Sequence, residues 1–147
     1  MLRDPMATLP SLFRTTMRGR IPSRDEIRTI LKIAFLTAEI DLDEDPDELQ
    51  LLRTACRMLF QLAGYPPEQL PIVSPLPLPE DPEARSACIH DLAQRLPIEG
   101  ARELAFGIAN LFVVEDLELA PIEQAFLEEL RRELHIDPAR AAELATA

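Results

Sequence analysis

The sequence predicts an all-α protein, a single-domain bundle of about six helices. Hydrophobic residues make up 47% of the 147 residues, and Leu and Ala, which favour helices, are common while Val, Thr and Tyr are scarce. Apolar residues also recur at three- and four-residue intervals, the spacing of one helix face. Prolines preceded by an acidic or small residue supply several helix-start signals. A chain of this length forms one core that buries about 70% of the unfolded surface.

The overall charge of the chain argues against some classes of partner. A net charge of -11 and a pI near 4.6 argue against a broad nucleic-acid or anionic-membrane surface, because both partners are polyanions. Cys56 and Cys88 form neither a CxxC pair nor a disulfide framework, which favours a reducing cytoplasm. No apolar run reaches about 18 residues and no signal-peptide pattern is present, so stable membrane insertion is not expected.

Residues 1–22 have a local basic bias. They contain four arginines and one acid. We expect a partly flexible N-terminal arm that is frayed or lies across the acidic body by charge attraction. A membrane-targeting or partner-binding arm is the alternative. The helical domain would then span residues 23–147.

The first predicted helix begins after Ser23. Ser23 and Glu26 form an S-x-x-E capping box, in which each side chain accepts a backbone N–H from the other residue. The apolar surface that follows is broad, which is typical of an interior helix over residues 26–38. Its members are Ile27, Ile30, Leu31, Ile33, Ala34 and Leu36.

An acidic turn over residues 41–48 separates this helix from the next. Asp45 can cap the second helix, Pro46 suits its first position, and Glu48 favours the positive end of the helix dipole. The apolar stripe of the second helix is Leu49, Leu52, Cys56, Leu59 and Ala63.

A proline-rich connector is predicted over residues 64–82. Seven prolines remove backbone donors and exclude a long helix. Interleaved aliphatic residues indicate that the connector lies against the helical body and joins two repeats. A ligand for a proline-recognition domain is the alternative.

The second half of the chain repeats this plan. Asp81 and Pro82 start a helix that runs to about Gln94, and a second interior helix is predicted over residues 101–114. After another acidic turn, a helix begins at Pro121 with the stripe Ile122, Phe126, Leu130 and Leu134. Asp137 and Pro138 start a short last helix. Phe126 and Leu52 are expected in the shared core.

An internal repeat relates the two halves. A shift of 75 residues pairs positions 27–60 with 102–135, and ten of the 34 pairs are identical. The order Asp-Leu-acid, Pro, Glu at fixed spacing is the most specific part. The identical pairs are Ile33/Ile108, Ala34/Ala109, Leu36/Leu111, Asp41/Asp116, Leu42/Leu117, Pro46/Pro121, Glu48/Glu123, Leu52/Leu127, Arg57/Arg132 and Leu59/Leu134.

At these residues the chain resembles the TerB-like family of bacterial tellurite-resistance proteins, whose fold is similar to the amino-terminal domain of the DjlA co-chaperone. The resemblance covers residues 24–145 and implies repeated units of helix, acidic turn and helix, with a Glu just inside the second helix. It also implies a connection to metals or stress ions. The family's turn glycine is replaced by Leu42 and Leu117, so these turns are expected to follow another backbone path.

The acidic turns are the candidate site. Closely spaced carboxylates suit a hard divalent cation such as Ca²⁺ or Mg²⁺, and the candidate ligands are Asp41, Asp43, Glu48, Asp116, Glu118 and Glu123. Alternatively, acids before a helix cap free N–H groups and favour the dipole, at about 0.3 to 2 kcal/mol each. An EF-hand loop is excluded because its sixth position would be Pro46 and its twelfth Leu52.

The remaining residues favour a protein without catalysis. His90, His135 and the two cysteines lack transition-metal spacing, and no oxyanion loop or phosphate-cradling glycine turn accompanies them. The row Glu128, Glu129 and Glu133 beside Arg131 and Arg132 is either a partner-binding face or a solvated surface with paired charges. We therefore expect a non-enzymatic, TerB-like stress or tellurite-resistance protein. A helical scaffold or co-chaperone-like module without metal is the alternative.

Overall fold

The computed structural model describes residues 5–40, 46–66, 81–113 and 121–146. Within these ranges the protein forms seven helices and no strand, which confirms the all-α prediction and adds one helix to the six expected. The helices are α1 (Pro5–Met17), α2 (Arg24–Ile40), α3 (Pro46–Ala63), α4 (Pro82–Gln94), α5 (Glu99–Val113), α6 (Pro121–Glu133) and α7 (Pro138–Thr146). No helix in the described ranges is long and apolar enough to cross a membrane.

Local start signals set the first residues of these helices. Five of the seven begin with proline, whose missing N–H has no helical partner at that position in any case. Asp81 caps α4, its Oδ1 accepting the N–H of Glu83 at 3.4 Å. The Ser23 N–H donates to Glu26 Oε1 at 3.0 Å, and the Glu26 N–H donates to Ser23 Oγ at 3.1 Å. The predicted capping box is therefore confirmed.

Two interior helices, α2 and α5, form the centre of the bundle. They pack against each other, and α5 also contacts α1, α6 and α7, while α2 contacts α3, α4 and α6. Between Ala101 and Leu111, every side chain of α5 except Arg102 is buried. Phe126 on α6 is 3% exposed and belongs to this core, as predicted. The side chain of Leu52 lies outside the described part of the structure.

The N-terminal segment differs from the predicted arm. Residues 5–17 form a helix whose apolar side packs on α5, with Leu9, Leu12, Phe13 and Met17 buried. Its basic residues lie on the other side, and Arg14 and Arg18 are exposed. The expectation of a frayed or surface-lying arm is therefore wrong for these residues, because their apolar spacing of three and four supplies a core-facing stripe.

Two glycines of α5 allow α1 to approach closely. A Cβ at Gly107 would lie 2.7 Å from a Leu12 methyl carbon, and a Cβ at Gly100 would lie 2.5 Å from the Thr16 carbonyl oxygen. Since Leu12 precedes Thr16 while Gly107 follows Gly100, the two helices run antiparallel. The contact fixes the C-terminal end of α1 beside the start of α5.

The end of α3 is joined to the turn before α2. Gly64 has φ +83, a left-handed conformation that glycine adopts without strain, and the Tyr65 N–H closes the helix end on the Phe60 carbonyl at 3.0 Å. The Tyr65 hydroxyl then donates to the Pro22 carbonyl at 2.8 Å. Residues 67–80 of the predicted proline-rich connector lie outside the described ranges.

Candidate functional site

Most of the predicted metal ligands lie outside the described residues. This holds for Asp41, Asp43, Asp116 and Glu118. Glu48 and Glu123 are each the third residue of a helix, in α3 and α6 respectively, and their side chains are also outside the description. Among the side chains that the structure does describe, no group of three or more His, Cys, Asp or Glu could hold a metal ion.

Among the ion pairs of the described residues, the most deeply buried one joins α5 to α7. The side chain of Glu103 is only 7% exposed, and its Oε1 accepts the Nε–H of Arg140 at 2.9 Å, with Nη2 at 2.8 Å. Arg140 Nη1 donates to Glu143 at 2.8 Å. These hydrogen bonds, chiefly the one that Arg140 donates to Glu103, raise the pKa of the Arg140 guanidinium. Glu103 therefore fixes the position of α7 and is not a free base.

A cleft of about 280 Å³ borders this pair at the start of α5. Arg102 closes one side, its Nε–H donating to the Leu96 carbonyl at 2.5 Å. The rest of the lining comes from Pro97, Glu99, Leu134, His135, Ile136 and Asp137. Three carboxylates (Glu99, Glu103 and Asp137) and two guanidiniums (Arg102 and Arg140) line the cleft, so it contains charges of both signs.

The cysteines and histidines do not assemble a nucleophile and base in the described residues. Cys56 is 7% exposed, and burial raises the pKa of its thiol to about 11, although the nearby Arg57 opposes this. Cys88 is half-buried in α4. The exposed His90 places Nδ1 2.6 Å from Glu133 Oε2, linking α4 to α6. Cys56 is therefore part of the packed core, and His90 forms an ion pair at the surface.

The buried thiol gives a pH-dependent stability. In the unfolded chain the thiol ionises near its ordinary pKa of 9.0, whereas in the fold it holds its proton up to a pKa of about 11. The contribution of Cys56 is therefore complete below pH 9 and is lost between pH 9 and 11. We expect this loss to reach about 3 kcal/mol of unfolding free energy.

Urea unfolding of the wild type and of Cys56→Ala across pH 8 to 11 measures this loss. Other titrating groups act on both proteins, so the difference between the two curves isolates the thiol. A difference that stays constant with pH would show that Cys56 ionises as easily in the fold as in the unfolded chain.

The charged row on α6 is largely paired within the protein. Both Nε and Nη2 of Arg131 donate to the Glu128 carboxylate, and Nη1 donates to the Ile136 carbonyl at 2.9 Å. The hydrogen bond from Arg131 lowers the pKa of Glu128. Glu133 is paired with His90. Charged side chains that pair within the protein in this way are typical of a solvated helix surface.

Comparisons with protein-family models, curated proteins and solved structures find no match to this chain. In the described ranges its residues form a packed helical bundle with paired surface charges. The candidate metal-binding carboxylates are in the two acidic segments of the sequence, which directly precede and include the first residues of α3 and α6.

Proposed function

We propose that this protein is a non-enzymatic, TerB-like module in which the two acidic segments bind a divalent cation. The proposed stress or tellurite-resistance role follows from the resemblance of its Asp-Leu-acid, Pro, Glu pattern to that family. In this role the helical bundle would be a rigid support, because each acidic segment is joined to a helix at both of its ends.

One observation carries this proposal. Helices α2 and α5 begin at residues 24 and 99, and α3 and α6 begin at residues 46 and 121. Both separations are 75 residues, the same offset that aligns the sequence repeat. A matched pair of helix starts supports two equivalent units of helix, acidic segment and helix. Two equivalent units would present two equivalent sets of carboxylates.

The chemistry of the donor set fits a hard cation. Each segment offers two carboxylates, Asp41 and Asp43 or Asp116 and Glu118, followed by a Glu at the third residue of the next helix. Oxygen donors alone favour Ca²⁺ or Mg²⁺ over Zn²⁺, which prefers nitrogen and sulfur. The cation would neutralise part of the acidic charge and tie the segment to the helix that follows it.

The second candidate is a scaffold or co-chaperone-like interaction module that binds no metal. It is supported by the starts of α3 and α6 at Pro46 and Pro121, because carboxylates before and within the first turn stabilise a helix without any ligand. In this case the acidic segments would set helix boundaries. Function would then reside on a protein-binding face of the bundle.

Calorimetric titration separates the two candidates. Metal-stripped protein is titrated with Ca²⁺, Mg²⁺, Mn²⁺ and Zn²⁺, beside the double variant Asp116→Asn with Glu123→Gln. We expect saturable binding of Ca²⁺ or Mg²⁺ that the variant weakens by at least about tenfold, a change of about 1.4 kcal/mol. Ionic attraction to the whole acidic chain would not saturate in this way.

The matched control is Asp81→Asn with Glu83→Gln. This control also removes two negative charges, from the N-cap and the first turn of α4. Helix α4 lies outside the internal repeat. Binding should be unchanged in this control. If the wild type binds no cation, and both variants lose only stability, the carboxylates are helix caps and the interaction module replaces the cation-binding proposal.

A further inference from the structure

The charge of the chain is divided unequally between its two ends. The first 38 residues contain seven basic and three acidic residues, a net charge of +4, which leaves -15 on the remainder. On the described surface, Arg14, Arg18, Arg20 and Arg28 are exposed. We call these four arginines, together with Ile21, the basic patch.

The turn between α1 and α2 presents an exposed aliphatic side chain, Ile21, directly after Arg20. Ile21 is 63% exposed, and it is the one large hydrophobic side chain with such exposure in the part of the chain that is described. A lone exposed hydrophobic residue is common on protein surfaces, so the exposure of Ile21 alone assigns no contact. Its position directly after the exposed Arg20, in the basic part of the sequence, is what makes it a candidate for a surface contact.

The backbone holds this turn in place at both ends. Arg18 and Gly19 adopt left-handed conformations with φ +49 and +86, and the Arg20 N–H donates to the Met17 carbonyl at 2.9 Å. After Ile21, the buried Pro22 accepts the Tyr65 hydroxyl at 2.8 Å. The turn is therefore anchored on the bundle while Ile21 stays outside it.

The arginines of the patch remain available to a partner. None of the ion pairs found within the described residues involves Arg14, Arg18, Arg20 or Arg28. Glu99 shares a shallow cleft with Arg18 and Arg20, and Asp25 is exposed on α2, so the patch is not purely basic. Cations still outnumber acids on this part of the surface.

We propose that the basic patch docks on an anionic lipid surface, with Ile21 entering the headgroup region. A single aliphatic side chain on a turn, with arginines on both sides of it in the sequence, fits a broad anionic plane, whereas a helical peptide would need an apolar groove. A single-stranded nucleic acid would be expected to use aromatic stacking residues, and the patch contains none.

The strong negative charge of the rest of the chain does not prevent this orientation. The acid-rich stretch after α2 begins beyond a helix of 17 residues, about 25 Å in length. Electrostatic forces are screened over about 8 Å at physiological ionic strength. Repulsion from that stretch would instead favour docking through the basic end.

Vesicle flotation tests this proposal. We expect the wild type to bind vesicles of phosphatidylcholine with about 30% phosphatidylserine but not phosphatidylcholine alone, and to dissociate in 1 M salt, where screening acts over about 3 Å. Arg20→Gln with Arg28→Gln should weaken binding about 25-fold, at about fivefold per arginine. Ile21→Ser should weaken it about tenfold with the salt dependence unchanged.

The matched control is Arg53→Gln with Arg57→Gln, which removes two exposed charges from α3. Circular dichroism establishes that each variant is folded. The proposal is overturned if the wild type binds neither vesicle, if it binds both equally, or if the control weakens binding as much as the patch variant. It is also overturned if the patch captures polyglutamate or RNA at a salt concentration where it ignores the vesicles.

Discussion

Replacing Leu12 with alanine is expected to lower the free energy of unfolding by about 2.7 to 5 kcal/mol. Leu12 is 1% exposed and faces Gly107 on the central helix α5. Its truncation removes buried methyl groups and leaves a cavity that the close contact between α1 and α5 cannot fill by a small shift. Urea unfolding followed by far-ultraviolet circular dichroism measures the change.

The exposed neighbour Arg14 gives the matched control. Arg14→Ala lies on the same helix but outside the contact with α5, so its effect should stay within about 0.5 kcal/mol. If Leu12→Ala cost no more than Arg14→Ala, α1 would not be part of the core. The expectation of a loosely held N-terminal arm would then be restored.

Helix starts could be predicted from the sequence because their causes are local. Pro82 fits the first position of α4 and Asp81 caps it, so two adjacent residues set the boundary. The capping box of Ser23 and Glu26 involves only four residues. Such signals do not depend on the rest of the fold, and α3, α4, α6 and α7 each begin at the predicted proline.

The N-terminal helix was hidden by its charge. Four arginines in residues 1–22 suggested a solvated arm, and Pro10 lies inside the helix. The spacing of Leu9, Leu12 and Phe13 nevertheless follows a helix face. What the sequence does not reveal is the surface that receives this stripe, since Gly107 on α5 lies far away in the chain.

The candidate site was less predictable than the fold for a physical reason. Carboxylates before a helix serve equally as caps and as cation ligands, so the pattern of Asp116, Glu118 and Glu123 does not choose between these roles. Nor does local sequence reveal the pair of Glu103 with Arg140, which are 37 residues apart. The only hint was a single acid within the apolar run of α5.

Phe126→Ala is expected to destabilise the protein by about 3 to 5 kcal/mol. Phe126 is 3% exposed, and its helix, α6, contacts α2, α4 and α5. The truncation therefore removes a large aromatic side chain from the point where several helices meet. Chemical unfolding followed by circular dichroism gives the loss in the free energy of unfolding. Calorimetry of thermal unfolding tests whether the transition remains two-state.

Gln124→Ala is the control for this substitution, because Gln124 is exposed on the same helix and should change stability by no more than about 0.5 kcal/mol. A loss below about 1 kcal/mol for Phe126→Ala would contradict the packing of α6. Unfolding of both variants should be measured in the presence of a chelator. A cation bound beside Pro121, at a free concentration 100 times its Kd, would add about 2.7 kcal/mol to the free energy of unfolding. Repeating the unfolding experiment with Ca²⁺ tests whether docking of α6 and cation binding are coupled. If they are coupled, Ca²⁺ should raise the free energy of unfolding of both variants. If the bundle has no cation site, each variant should have the same free energy of unfolding in Ca²⁺ as in chelator.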